Sequence, residues 1–123
     1  MYLDRALLGF ETVHGRNHLS TLGTVNNIGS LLQAKGDLQG AKKYYDRALL
    51  GYETVYGRDH PSTFYTVGNL GSLHQALGDL QGAKEYYDRA LLGYETVHGR
   101  DHPRTLNTVN NMGILLKAMG DLQ

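Results

Sequence analysis

Arg16, Arg58 and Arg100 stand 42 residues apart, and Asp37, Asp79 and Asp121 repeat the interval. Gly40 to Gln81 laid against Gly82 to Gln123 matches at 31 of 42 positions, so the chain is one unit written in tandem. A unit of that length cannot bury its own apolar face, and neighbours must stack to bury it for one another. Residues 1–123 therefore read as a single repeat array of about three units, beginning and ending within a repeat. That register is expected of an excerpt from a longer array.

The pattern inside each unit is helical throughout. Leu3, Ala6, Leu7, Phe10 and Val13 recur at spacings of three and four, which predicts an amphipathic helix over Tyr2 to His14. Gly15 follows as a left-handed stop. The turn written Gly57-Arg58-Asp59-His60-Pro61 and Gly99-Arg100-Asp101-His102-Pro103 is a start signal: an Asp or His side chain caps, and proline fits the first helical position. The next helix is expected over Leu19 to Lys35, Pro61 to Leu77 and Pro103 to Met119, closed by Gly36, Gly78 or Gly120. The helix after it, capped by Asp37 or Asp79, is expected over Leu38 to Tyr56 and Leu80 to His98. Lys84 with Asp88 and Glu85 with Arg89 place opposite charges four apart on its outer face. Gly51, Gly71 and Gly93 interrupt helical patterns at about 1 kcal/mol each, which predicts close helix approach at those points. The expected fold is all-α, an α-solenoid of antiparallel helix pairs.

Composition bounds the function. Twelve basic and twelve acidic side chains cancel, leaving no long-range field to attract nucleic acid or a membrane surface. The chain has no cysteine, which removes disulfides and thiolate metal sites and fits a reducing compartment. No apolar run approaches the roughly 20 residues of a membrane span, and Met1 is not followed by a leader pattern. A cytoplasmic location is the expectation.

Val67-x-x-Leu70-Gly71-x-x-His74, followed by Ala83-x-x-x-Tyr87 and Ala90, resembles the tetratricopeptide repeat. The match recurs through Val25, Gly29, Leu32, Ala41, Tyr45 and Ala48, and through Val109, Gly113 and Leu116. Glu53 and Glu95 replace the family's closing proline inside a longer second helix. That form looks like the repeats of kinesin light chains and of the sensor arrays of NACHT or NB-ARC signalling ATPases. Armadillo and HEAT repeats of similar length would not call for Gly71, Ala83 and Ala90 at these offsets. The resemblance implies a right-handed superhelix that binds proteins or peptides, without catalysis or cofactor.

Differences between copies point to a face. Eleven positions differ between the two compared units, and nine lie between Ser62 and Leu77. Phe64, Leu70 and Leu77 exchange with other apolar residues, which packing tolerates. Tyr65, Gly68, Ser72 and Gln75 become Asn107, Asn110, Ile114 and Lys117, and the first copy carries Gly23, Asn26, Ser30 and Gln33 there. At about 100° per residue these positions fall within roughly 80° of arc, opposite Val67, Leu70, His74 and Leu77. A constant scaffold with one variable stripe is expected of a binding face. Solvent drift is the competing account, and the near-constant outer face of the second helix speaks against it. In the family this stripe lines the concave groove. Asn27, Asn69 and Asn111, beside it and identical in all copies, read either as carboxamides that grip a peptide backbone or as residues that set the stacking of helices.

Other constellations carry little chemistry. His14 with His18 and His98 with His102 have a zinc-like spacing, but a glycine turn intervenes and the middle copy has Tyr56. The His-Pro histidines, His60 and His102, read as cap or turn residues, and His74, facing the core, as a satisfied buried or half-buried histidine. Tyr44-Tyr45 and Tyr86-Tyr87 read as core. No catalytic set, metal site, cofactor site or phosphate loop is expected.

The first helix lacks the partner that would precede it, and Pro103 to Met119 lacks the one that would follow. Leu3, Leu7 and Phe10 at one end, and Val109, Met112, Leu116 and Met119 at the other, are expected to self-associate head to tail or by helix exchange.

Overall fold

The computed structural model describes residues 2–120 as six helices: α1 (Tyr2–His14), α2 (Leu19–Ala34), α3 (Leu38–Tyr56), α4 (Pro61–Ala76), α5 (Leu80–His98) and α6 (Pro103–Gly120). Asp121 lies outside the described residues. Among the described residues there is no strand, and no helix is long and apolar enough to cross a membrane. The helix ends fall within a residue or so of the positions read from caps and glycines.

Each boundary has a local cause. Gly15, Gly36, Gly57, Gly78 and Gly99 have φ between 84 and 93°, a region that favours glycine, and each lies just beyond a helix. Gly120 is instead the last residue of α6. Asp37 and Asp79 accept the amide protons of Gly40 and Gly82 at 2.9 and 3.0 Å, capping α3 and α5. The second type of start uses histidine: Nδ1 of His18, His60 and His102 accepts from the backbone N–H of Ser20, Ser62 and Arg104 at 3.1 to 3.2 Å. Thr21, Thr63 and Thr105 close the same turns by donating to the carbonyls of Gly15, Gly57 and Gly99 at 2.6 to 2.8 Å. All three threonines are buried, and each hydroxyl is satisfied within its own repeat.

The helices form two compact units, Met1–Thr66 and Val67–Gln123, with the division inside α4. In the first, α1 and α3 pack on α2 around Leu7, Leu22, Val25, Ile28, Ala48 and Tyr52. Arg47 joins α3 to α1 through Glu11 at 3.0 Å. In the second, α5 packs on α6 through Ala83, Tyr87, Met112 and Leu115, with Leu80 and Met119 at the margin. The outer Lys42–Asp46 and Lys84–Asp88 pairs, 2.7 and 2.9 Å, are exposed i,i+4 contacts worth about 0.3–0.5 kcal/mol each.

Glycine sets how near the helices come. A Cβ on Gly29 would lie 2.8 Å from the Tyr45 ring, one on Gly71 would lie 2.8 Å from the Tyr87 ring, and one on Gly51 would lie 2.5 Å from Leu22. The missing Cβ costs helix propensity at these positions and lets two tyrosine rings and the Leu22 methyls reach the backbone.

His74 occupies the position that Leu32 and Leu116 hold in the other copies. Its ring lies 5.0 Å from that of Tyr86, and Nδ1 is 3.0 Å from Asp79 Oδ2. Its Nε2 is buried without a hydrogen-bond partner, so this histidine is satisfied on one side only. The Gly82 amide, and after it His74, holds the Asp79 carboxyl below its ordinary 3.8. A depressed carboxylate contributes stability above its unfolded pKa and loses it as pH falls through the folded value. The stability difference between the wild type and Asp79→Asn is therefore expected to shrink on acidification, as read by urea midpoints across the acid range. A difference independent of pH would show that the carboxylate charge does not stabilise the cap.

Candidate binding face

The variable stripe does not form a uniform surface. On α2, Asn27 is exposed, whereas Gly23, Ser30 and Gln33 are half-buried. The reason is the helix alongside. Tyr45 of α3, 1% exposed, lies flat on Gly29 and carries its hydroxyl out to Ser30 Oγ at 3.0 Å and Gln33 Oε1 at 3.1 Å. A phenol has one proton to donate, so it serves these two acceptors in turn, while the Ser30 hydroxyl can donate back. Tyr52, two turns further along the same face of α3, brings its hydroxyl to 4.0 Å from where a Cβ on Gly23 would stand.

Burial pushes the Tyr45 phenol above its ordinary 10.0, with the Ser30 bond opposing the shift and Tyr65 adding to it. Burial likewise raises Tyr52, with Tyr56 and Tyr65 contributing. Both phenols therefore remain protonated donors well above neutral pH. Tyr65 lies within electrostatic reach of both and is 46% exposed. The first unit thus presents an accessible aromatic ring, Tyr65, within electrostatic reach of two buried phenols, one of which holds the half-buried Ser30 and Gln33 side chains.

The second unit repeats part of this plan. Tyr87 lies on Gly71 and is hydrogen-bonded to Ser72, and burial again raises its pKa. Gly68, Asn69, Ser72 and Gln75 are all half-buried. On α6, Asn107, Asn110, Asn111, Ile114 and Lys117 are exposed.

Asn26 departs from the stripe. It is 3% exposed, and its Oδ1 accepts from Thr66 Oγ1 at 3.2 Å, with Thr66 itself fully buried. The arc places Asn26 correctly on the helix, but α4 comes to rest on that side of α2, so the carboxamide joins two helices inside the first unit. Asn26→Ala is expected to lower stability by about 1–3 kcal/mol, the usual consequence of leaving a buried hydroxyl unpaired. Equal urea midpoints for the variant and the wild type would return Asn26 to the accessible face.

The end faces need a similar correction. Leu7 is 9% exposed and belongs to the core around Leu22, and Met112, at 8%, packs with Met119 against Tyr87 and Leu115. Each has turned toward a helix of its own chain, because one side of a helix packs on its predecessor and another on its successor. Leu3 and Phe10 are half-buried, and Val109 and Leu116 are each 47% exposed.

The Tyr45 and Tyr87 hydroxyls were not among the residues expected on the face. Their trace in the sequence is the pairing of Gly29-Ser30 and Gly71-Ser72 with a tyrosine early in the following helix. The histidine pairs stack, with ring centroids at 4.5 Å for His14–His18 and 4.2 Å for His98–His102, while His18 and His102 cap helices. No group of three or more His, Cys, Asp or Glu that could hold a metal occurs among the described residues.

A family model described as Tetratricopeptide repeat matches residues 20–83 and again 65–123. No curated protein matches the sequence. Among solved structures, BtubC (BKLC) from P. vanneervenii is similar, with a TM-score of 0.86 and 24% identity over 98% of this chain and 48% of that one. A Podosopora anserina protein, described as a kinesin light chain with nearly identical TPR-like repeats, gives a TM-score of 0.84 and 20% identity over 96% and 56%. The chain spans about half the length of these structures, and at such identities the likeness is one of fold.

Proposed function

The chain belongs to the tetratricopeptide repeat family, whose members are typically non-enzymatic scaffolds for protein interaction, and from that premise we propose that it recognises an extended peptide or partner helix. The first helix of each repeat, carried by α2, α4 and α6, supplies the recognition face. The observation that carries this reading is the group formed by Tyr65, Tyr45, Tyr52, Ser30 and Gln33. An accessible aromatic ring beside hydroxyls and a carboxamide offers apolar contact and paired donors and acceptors, which a peptide main chain requires. Asn27, Asn69 and Asn111 add one carboxamide per repeat. The side chains around this frame change from copy to copy, which would let successive ligand positions be read differently. Within this reading, the parent protein is a cytoplasmic NACHT or NB-ARC type ATPase with these repeats in its sensor array.

The likeness to a structure described as a kinesin light chain favours a second reading, a cargo adaptor, which uses the same face. Both readings are tested together by selecting ligands from a randomised-peptide display library. Tyr65→Ala combined with Asn69→Ala is expected to weaken the selected peptides by at least about tenfold, as two hot-spot side chains would. If the double variant binds every selected peptide as the wild type does, the face takes no part and the repeats serve as architecture alone.

A further inference from the structure

Formal charge is unevenly placed along this chain. Helices α2 and α4, 16 residues each, contain no Asp, Glu, Lys or Arg, whereas α3 and α5, 19 residues each, hold five apiece. At the chain's 20% charged content, two 16-residue helices would carry about six. Burial alone does not account for the gap. Asn27 and Tyr65 are exposed and Ser30, Gln33, Asn69 and Ser72 half-buried, and every one of these positions that water reaches holds a neutral side chain. Both helices also have neighbours within this chain: α2 packs between α1 and α3, while α4 meets α2 through Thr66 and lies under Tyr87 of α5 at Gly71. The surface they keep is what packing leaves on internal helices of the array.

The charges of the other helices engage one another. Lys42 pairs with Asp46 and Lys84 with Asp88 along their own helices, Arg47 joins Glu11, and Arg58 joins Glu53. Asp37 and Asp79, in the turns after α2 and α4, cap the helices that follow, and His74 is turned to Asp79 and Tyr86. In the first unit the stripe therefore offers a phenol ring, a hydroxyl and carboxamides, and in the second it offers carboxamides and a hydroxyl.

Resting on the peptide-binding reading above, we propose that the segment recognised along α2 and α4 is uncharged, a run of Asn, Gln, Ser or Thr with an aromatic or aliphatic residue to lie on Tyr65. Carboxamides and hydroxyls both donate and accept, so they match a peptide main chain and neutral polar side chains group for group. A ligand carboxylate or ammonium laid on the same stripe sheds water and meets no opposite charge, which disfavours both signs alike. Exclusion of charge is then part of the specificity. Association also gains nothing from electrostatic steering, so it is insensitive to salt.

The test takes peptides selected from a display library of unbiased composition, made synthetically and measured by calorimetry. Their central residues are expected to be neutral, and their affinity to change by less than about twofold between about 0.05 and 0.5 M NaCl. Scanning Asp and then Lys through the centre of a selected peptide is expected to weaken binding at least about tenfold with either sign. Gln75→Lys copies the residue that the third repeat carries at that position, Lys117. It is expected to restore at least about tenfold to an Asp-bearing peptide while the Lys-bearing one gains nothing. Selected peptides that are charged at their centre, or that weaken steeply with salt, yet lose affinity in the Tyr65→Ala and Asn69→Ala double variant overturn the charge rule and leave the peptide reading standing. Peptides indifferent to that double variant, or a library that yields no binder, overturn both.

Discussion

Tyr45→Ala is expected to cost about 3–5 kcal/mol, the range for removing a large ring from a packed core. The ring is 1% exposed and lies on the backbone of Gly29, so its loss opens a cavity walled by a helix that has no side chain at that point to collapse into it. Tyr45→Phe separates the ring from its hydroxyl. It keeps the packing and removes only the contacts to Ser30 and Gln33, for an expected loss of about 0.5–1.5 kcal/mol. Urea denaturation of the three proteins checks both values. A phenylalanine variant as damaged as the alanine variant would mean that the hydroxyl, and not the ring, holds α3 to α2.

Gly71→Ala and Gly68→Ala, three residues apart on α4, are expected to change stability in opposite directions. A methyl on Gly71 would stand 2.8 Å from Cδ1 and Cε1 of Tyr87, whose ring is 3% exposed and tied to Ser72, so the ring cannot turn aside. Overpacking of about 1–3 kcal/mol is set against a helix-propensity gain of at most about 1 kcal/mol, and the net is a loss. At Gly68 a Cβ meets nothing within 4 Å, so only the propensity term remains, and a gain of about 0.5–1 kcal/mol follows. Thermal or urea midpoints with the same sign at both positions would show that close approach at Gly71 is not what requires glycine there.

Much of this molecule was legible in the chain. The 42-residue interval, the glycines of positive φ, and the aspartate and His-Pro caps act within a few residues of themselves, so they mark helix ends without reference to the fold. The apolar spacing showed which residues share a side of each helix, and the changes between copies marked the stripe holding Tyr65, Ser72 and Gln75. Thr21, Thr63 and Thr105 recur at the same interval and went unread, because a hydroxyl that closes a turn and one that faces solvent look alike in sequence.

The sequence by itself determined six helices, their ends and the composition of each of their sides. Only tertiary structure decided what those sides meet. Asn26 and Asn27 are adjacent on α2, yet one is buried against Thr66 and the other exposed, because α4 rests on one side of that helix and not the other. Val67 and Val109 occupy the same repeat position, yet they are 0 and 47% exposed. Burial belongs to a residue together with its neighbour across the interface. A periodic sequence specifies the first of the two and leaves the second to the packing.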